Sequence, residues 1–537
     1  MNQGVHWSRF ARGPATGPRL AFGSLSAVRA PGTFMFLSTV LHALLWTTAA
    51  AGLAGDWPQY RGASHDGASP EPIRKQWSSG GPPEIWRVPC TNGLSSIAVS
   101  DGRVYTQIRR VVGTKDREVC VALDCRTGAE LWAADIGSAS YGGGVGSDDG
   151  PRTTPTVSGG RVYVLSSRLE LHCLDAATGS PVWTRNLVNL YGGVVISWEN
   201  AASPLLEDGL LLINCGAASQ SLLALRATDG SLAWRSQTEG ATHSTPVAAT
   251  IAGVRQAIYA TQSGLVSVAP ATGTLLWKAR YPFSYSTSLA ASPLVHSNIV
   301  FISGQYNMGS FAVRVSQSGG TWNATPLWTN RNYKAHWMSP VAYDGYAYGL
   351  FGSPGSASLK CIDLLTGAQR WTRSGFGAGG TILVGDTLVV LSEYGDLYFV
   401  AATPAAYTEL GVYRAINQPY DPDRNKCWNV PAIADGRIYA RSTAEAVCLD
   451  VSLPGLQCLP LVVTPGGLRL CVASSNADAI DVERASRIQV RSSSSLSPGF
   501  ADWKTLSVSG NLRNGLLEFD LPPPAEGQSF YIATEVP

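Results

Sequence analysis

Cys173-Leu174-Asp175-Ala176-Ala177-Thr178-Gly179-Ser180-Pro181-Val182-Trp183 reads as the end of one strand, a tight turn and the start of the next. The apolar run stops at Asp175, whose short carboxylate can cap the amides of the turn. Gly179 falls where a left-handed backbone is needed, which a side chain would penalise. Trp183 then returns a large apolar ring to the sheet. Alone this is an ordinary hairpin, but the chain writes it repeatedly.

The pattern Asp-x-x-Thr-Gly-x-x-x-Trp is complete from Asp124 through Gly128 to Trp132, in the quoted copy, and from Asp363 through Gly367 to Trp371. Gly273 and Trp277 belong to a copy lacking the Asp, and Gly230 with Trp234 to one that keeps only the turn and the ring. The copy ending at Trp328 has a longer hairpin, and at Tyr413 the pattern has dissolved. From Trp132 to Trp371 the tryptophans are 43 or 51 residues apart. Each unit of 40–50 residues holds four short strands joined by hairpins, with an innermost strand following a recurring Ser/Thr-Pro. That is how a propeller blade is written. The last unit, 430–450, has three strands and no Trp strand, while Trp86 near the start sits on a strand with no hairpin. Together they make an eighth blade and close the ring, which removes exposed sheet edges.

The bulk properties agree. A chain of 537 residues with 57 Gly, 32 Pro, 16 Trp and only 15% charged residues suits many short strands and turns. The formal charge of +2 becomes slightly negative without residues 1–54, which carry four Arg and no acid. No electrostatic footprint for nucleic acid or an anionic membrane surface remains. Residues 34–54, apolar and ending in small side chains, read as a signal peptide cut near Ala51 or Ala54, with an uncleaved anchor as the alternative. Met35 is a plausible true start. Leu53-Ala54-Gly55 is followed by Asp56 and not by the Cys that a lipoprotein signal needs. An exported protein, periplasmic or secreted, monomeric and not membrane-spanning after cleavage, is expected.

The expected organisation is therefore a leader over 1–54, an extended segment over 55–83 lying across a surface, an all-β eight-bladed propeller over 84–454, and a small β-sandwich over 455–537. In the last region, strand-like runs such as 459–463 and 468–473 alternate with Ser-, Gly- and Pro-rich turns. Of the ten cysteines, Cys173, Cys361 and Cys448 occupy one repeated buried strand position, and Cys458 with Cys471 is the expected disulfide.

The recurring hairpins resemble the pyrroloquinoline-quinone (PQQ)-type propeller repeat over roughly 57–454. The opening Asp56-Trp57-Pro58-Gln59-Tyr60-Arg61-Gly62 is similar to the start of exported propellers of this group. The tail around Phe530-Tyr531-Ile532-Ala533 resembles sandwich domains appended to bacterial exported proteins. The resemblance implies one of two functions. One branch comprises alcohol and sugar dehydrogenases that hold PQQ with Ca²⁺ on the axis. The other comprises BamB-like scaffolds that bind partners in outer-membrane protein assembly without a cofactor. The adjacent cysteines and the CxxCH haem site typical of the first branch are missing here.

If a site exists, it should lie just before the Ser/Thr-Pro turns that open the innermost strands. Those positions hold Arg152, Glu199, Asn200, His243, His336, Trp337, Trp428 and Asn429. Glu199 and Asn200 are the carboxylate–amide pair that a cation would need; the competing reading is that these groups cap strand ends around a wet channel. His243 and His336 either converge across the axis or each satisfy a backbone group. Trp337 and Trp428 either stack on a flat ligand or a sugar, or pack between blades. The loop 141–146 is Gly-rich but lacks the strand-to-helix context of a phosphate site. A non-catalytic scaffold for a protein, peptide or polysaccharide partner is the expected function, with a PQQ- and Ca²⁺-dependent dehydrogenase as the alternative. The repeated Asp, Gly and Trp residues are structural, because chemistry that occurs once cannot reside in a motif present in most blades.

Overall fold

A computed structural model describes residues 55–77, 80–141, 149–283, 285, 289–476, 478–493, 503–522 and 530–535. The expected leader and most of the Gly-rich loop lie outside these residues. The described chain is all-β apart from two five-residue helices, Leu187–Tyr191 and Val482–Ser486. Eight sheets of at least four strands follow one another, spanning 98–138, 156–186, 205–236, 247–280, 294–330, 341–373, 380–414 and 432–450 together with 84–89, and their consecutive strands form β-propeller-like meanders. Apolar clusters are shared between neighbouring sheets, as where Tyr163, Cys173 and Trp183 of the second pack with Leu211, Leu223 and Leu225 of the third.

The hairpin motif now has a physical account in two halves. Locally, the Asp175 carboxylate accepts hydrogen bonds from the amides of Ala177 and Thr178 and from the Thr178 hydroxyl, all at 3.1 Å. Asp124 and Asp363 accept the two corresponding amides of their own turns. The Gly179 amide closes the turn onto the Asp175 carbonyl at 2.8 Å. Between sheets, each Trp reaches the turn of the next sheet. Trp132 Nε1 donates to Ala176 O at 3.0 Å, Trp183 to Ala227 O at 3.2 Å, and Trp234 to Pro270 O at 2.8 Å. Trp328 and Trp371 bond Leu364 O and Thr403 O in the same way.

The glycine serves both halves. Gly179 has φ +73°, and a Cβ there would sit 2.6 Å from the Trp132 ring of the preceding sheet. Gly128, Gly230, Gly273 and Gly367 meet Trp86, Trp183, Trp234 and Trp328 equally closely. Trp277 departs from the pattern: its Nε1 donates to Gln256 Oε1 of its own sheet at 2.7 Å. The sheet after it has long strands, Gly309–Ser318 and Thr321–Asn330, and so presents no glycine turn at that level.

Closure follows the same rules. Glu84–Pro89 pairs antiparallel with Glu445–Asp450, with Trp86 opposite Cys448. Trp86 Nε1 donates to Cys125 O of the first sheet at 3.0 Å. Tyr413, standing in for Trp, packs where a Cβ on Gly81 would come within 2.5 Å.

On the inner edge, the recurring Ser/Thr forms a belt. The amide of Ser96 donates to Thr154 Oγ1 (3.1 Å), Thr154 to Ser203 Oγ (2.8 Å), and Ser203 to Thr245 Oγ1 (2.9 Å). Ser292 donates to Ser339 Oγ, and Val430 returns to Ser96 Oγ.

The N-terminal segment runs across several sheets and pairs with them. Trp57 bridges Val99 of the first sheet, Pro58 O accepts from Val157 of the second, Ala68–Ser69 adds a parallel strand to the seventh, and Ile73 bridges Ser452. Trp57, Arg61, His65, Glu71 and Ile73 are all buried. The segment also holds the C-terminal region, through Arg74 with Asp478 and Lys75 with both Asp386 and Glu483.

That region has two sheets, one of five strands and one of three. A single cluster joins Leu470, Val472, Leu517 and Phe519 of the first to Ile488, Val490 and Tyr531 of the second. The expected strand over 459–463 is broken at Pro460 into Leu456–Cys458 and Val462–Thr464, since proline has no amide for the ladder. Nor are Cys458 and Cys471 joined. Cys458 stands opposite Val472, so alternation along the strand points Cys471 to the other face of the sheet.

Candidate functional site

Six of the eight candidate residues precede the belt hydroxyls, Trp428 and Asn429 precede Val430, whose amide joins the belt, and the eight form two groups with different partners. In the first group Arg152 Nη1 donates to Trp198 O at 3.2 Å, and His243 Nε2 meets Glu199 O at 2.7 Å. Trp198 and Glu199 carry φ of +63° and +57°, consecutive left-handed positions that cost non-glycine residues energy and that over-determined surroundings must hold. Burial, and secondarily the nearby Arg152 charge, push the His243 imidazole down to about 4, so it is neutral at physiological pH. His243 and His336 are near enough for His336 to contribute to that lowering, which brings residues of the fourth and sixth sheets together. Asn200 faces its own backbone, donating to Ala202 O at 3.1 Å.

The second group is aromatic. Tyr306 meets His336 edge-on at 5.3 Å, His336 packs on Trp337 at 4.9 Å, and Trp337 packs on Trp428 at 4.5 Å with 35° between the planes. Trp337 and Trp428 therefore pack on each other. A flat ligand between them would need about 7 Å, twice a van der Waals contact. Trp428 Nε1 donates to Glu393 Oε1 at 2.9 Å, and Lys426 Nζ lies 4.9 Å over the Trp428 ring while pairing with Asp149 at 2.6 Å. Asn429 is structural, tying the eighth sheet to Ser95 O of the first at 2.8 Å.

Sequence reasoning missed Glu393, Lys426, Trp198 and Tyr306. Glu393 is a hub: Tyr420 OH and Trp428 Nε1 donate to one oxygen, and the amides of Gly355 and Ala378 to the other. A carboxylate inside an otherwise apolar repeat was the available signal. Trp198 and Tyr306, 6.5 Å apart, extend the aromatic row toward solvent. The candidate loop over 141–146 lies outside the described residues beyond Tyr141, whose hydroxyl donates to Glu118 at 2.9 Å.

No gap for a quinone is left between the Trp337 and Trp428 rings. The central rings fill the space between themselves, and the Glu393 carboxylate is saturated by four donors. Among the described residues no three His, Cys, Asp or Glu side chains gather as metal ligands. No described helix is long and apolar enough to cross a membrane.

Comparison with known proteins places the repeats. The family model described as outer membrane protein assembly factor BamB matches residues 115–373. BamB of Moranella endobia (strain PCIT) is 25% identical over 291 residues, 51% of this chain and 57% of that protein. BamB of Yersinia pestis is 26% identical over 188 residues, 32% of this chain and 41% of that protein. The chain thus spans about half the length of the curated relatives it matches. Among solved structures, the quinohemoprotein alcohol dehydrogenase of Comamonas testosteroni superposes with a TM-score of 0.55 at 15% identity, covering 78% of this chain and 84% of that one. That of Pseudomonas putida HK5 gives 0.51 at 15% identity, covering 74% and 80%. At this identity the dehydrogenases share the fold alone. Repeat chemistry, sheet architecture and matched relatives agree in their likeness to PQQ-like, BamB-like β-propellers.

Proposed function

We propose that the protein is an exported, non-catalytic interaction scaffold of the BamB kind. In this reading the eight sheets are the blades of one closed ring over 84–454, 455–537 is an appended β-sandwich, and 1–54 is a cleaved leader. The partner is a protein or peptide bound at the rim, in cell-envelope assembly, and no cofactor is used. The observation that carries the reading is the Trp337–Trp428 contact with its Glu393 anchor. A catalytic centre would leave these polar groups open toward a substrate, whereas here they are spent on one another. The half-exposed row of Trp198 and Tyr306 beside them offers the rigid aromatic anchors that protein interfaces favour.

The test has two arms. Purified mature chain is titrated with PQQ and Ca²⁺ while quinone absorbance and dye-linked alcohol or sugar oxidation are followed; neither uptake nor turnover is expected. The chain is then expressed in a bacterium lacking BamB, and outer-membrane protein levels are measured with wild type and Tyr306→Ala. Restoration that the variant loses supports the scaffold, and stoichiometric quinone uptake with turnover overturns it.

A further inference from the structure

Strand alternation sets the face that the first sheet turns toward the eighth. Val104, Thr106, Ile108 and Arg110 point one way from Arg103–Val112, and Leu123 and Val121, paired with Val104 and Thr106, point with them. This strand and its partner Lys115–Asp124 are each ten residues long. The strand across the seam, Glu84–Pro89, has six residues and ends on a proline. The apolar packing of the seam is divided accordingly. Ile97, Val104 and Leu123 share one cluster with Trp86 and Val447, whereas Ile108, Val119 and Val121 form their own, with Cys90 packed against it.

Residues of both clusters line a single cavity of about 320 Å³, which Val88, Cys90 and Ala446 line from the side of the eighth sheet. The polar groups of this lining are already matched. Thr106 Oγ1 donates to Ser96 O at 3.1 Å and accepts from Arg441 Nη1 at 2.6 Å, and Thr91 Oγ1 donates to Arg109 O at 2.6 Å. Arg110 and Glu130 form a two-pronged pair at 3.0 and 2.6 Å. A charged ligand would lose its hydration here with nothing to replace it, whereas an apolar one gains from leaving water. An apolar cavity of about 150 Å³ takes up one benzene ring, so the larger volume here suits two fused rings. The Arg110 and Glu130 side chains, 36% and 40% exposed, stand at the solvent side of the lining. A solvated pair of this kind adds little stability, so it parts readily.

We propose that the seam between the first and eighth sheets binds a neutral, apolar molecule about the size of two fused aromatic rings, which enters past the Arg110–Glu130 pair. Cys90, a free and half-buried thiol in the lining, reports whether the cavity is occupied.

The experiment uses the full mature chain with naphthalene as the probe and naphthalene-2-sulfonate as its charged counterpart. Binding is measured by equilibrium dialysis, and alkylation of each cysteine by N-ethylmaleimide is followed by peptide mass mapping. Wild type should take up one equivalent of naphthalene and much less of the sulfonate. Alkylation at Cys90 should fall by about half when naphthalene equals its dissociation constant, while Cys471 in the C-terminal region reacts as before. Val121→Phe, which fills the cavity from within, should keep its thermal midpoint and lose naphthalene uptake. If that variant fails to fold, crystals of the wild type soaked in naphthalene decide the location. No uptake by the wild type overturns the proposal. So does uptake that Val121→Phe retains, uptake that leaves Cys90 unprotected, equal binding of the sulfonate, or naphthalene found only elsewhere in the crystal.

Discussion

The double use of the turn glycine can be isolated within one sheet, because Gly160 and Gly179 differ in one respect only. Their φ values are +72° and +73°, but a Cβ on Gly160 meets nothing within 4 Å, whereas one on Gly179 comes 2.6 Å from Trp132. Gly160→Ala therefore carries the backbone penalty alone, about 1–2 kcal/mol. Gly179→Ala adds a clash with a ring that cannot retreat, because Trp132 is buried and its Nε1 is tied to Ala176 O. Overpacking of this kind costs about 1–3 kcal/mol more. Midpoints and slopes of urea unfolding of both variants give the two values. The same pair is then made in a Trp132→Ala background, where removing the ring should reduce Gly179→Ala to the cost of Gly160→Ala. The coupling free energy between Gly179 and Trp132 should be about 1–3 kcal/mol. Equal losses for the two glycines in the wild-type background, or a cycle that closes to zero, would refute the intersheet fastening.

Trp183→Ala should cost about 3–5 kcal/mol, since it empties a shared core and leaves Ala227 O without its donor; calorimetry of the variant measures it. Acid should weaken the fold through two buried histidines. His65 and His243 are depressed to about 4 in the folded state from an ordinary value near 6.5, so the unfolded chain binds more protons between those limits. Stability is complete above pH ~6.5 and is lost as pH falls toward 4, by about 3 kcal/mol for each histidine, and His243→Gln should flatten that part of a denaturation profile. Removing residues 55–89 deletes the strand that pairs with Glu445–Asp450, together with the buried segment before it. Hydrogen exchange should then show the eighth and first sheets unprotected while the fourth stays closed.

What the sequence made legible was local. Asp175, Thr178 and Gly179 bond within four residues of one another, so their spacing alone announces the turn. The docking of Trp132 on Gly179 spans two sheets, and only the ring's geometry decides which turn receives which ring. The N-terminal segment shows no periodicity for a related reason. Trp57, Arg61, Ala68 and Ile73 each answer to a different sheet, so no repeat distance exists to be read. At the rim, the positions before the Ser/Thr-Pro turns were readable, but their pairing was not. Trp428 meets Trp337 from two sheets away, and its anchor Glu393 sits in the turn before Asp396–Ala401, not among the positions that open an inner strand.

The belt of hydroxyls explains why a site can exist on so repetitive a frame. Thr154, Ser203, Thr245 and Ser339 each fix the backbone where one sheet meets the next. Two to four residues earlier stand Arg152, Glu199, Asn200, His243, His336 and Trp337, which no repeat constrains. The repeated residue sets where these side chains point, and the unrepeated one sets what they are. The hairpin Trp and Gly have no such freedom, because each is already in contact with a neighbouring sheet. In the scaffold reading a change of partner is written at exposed Tyr306 or half-exposed Trp198 at little cost to the fold, whereas a change at Gly179 or Trp183 would be felt first as lost stability.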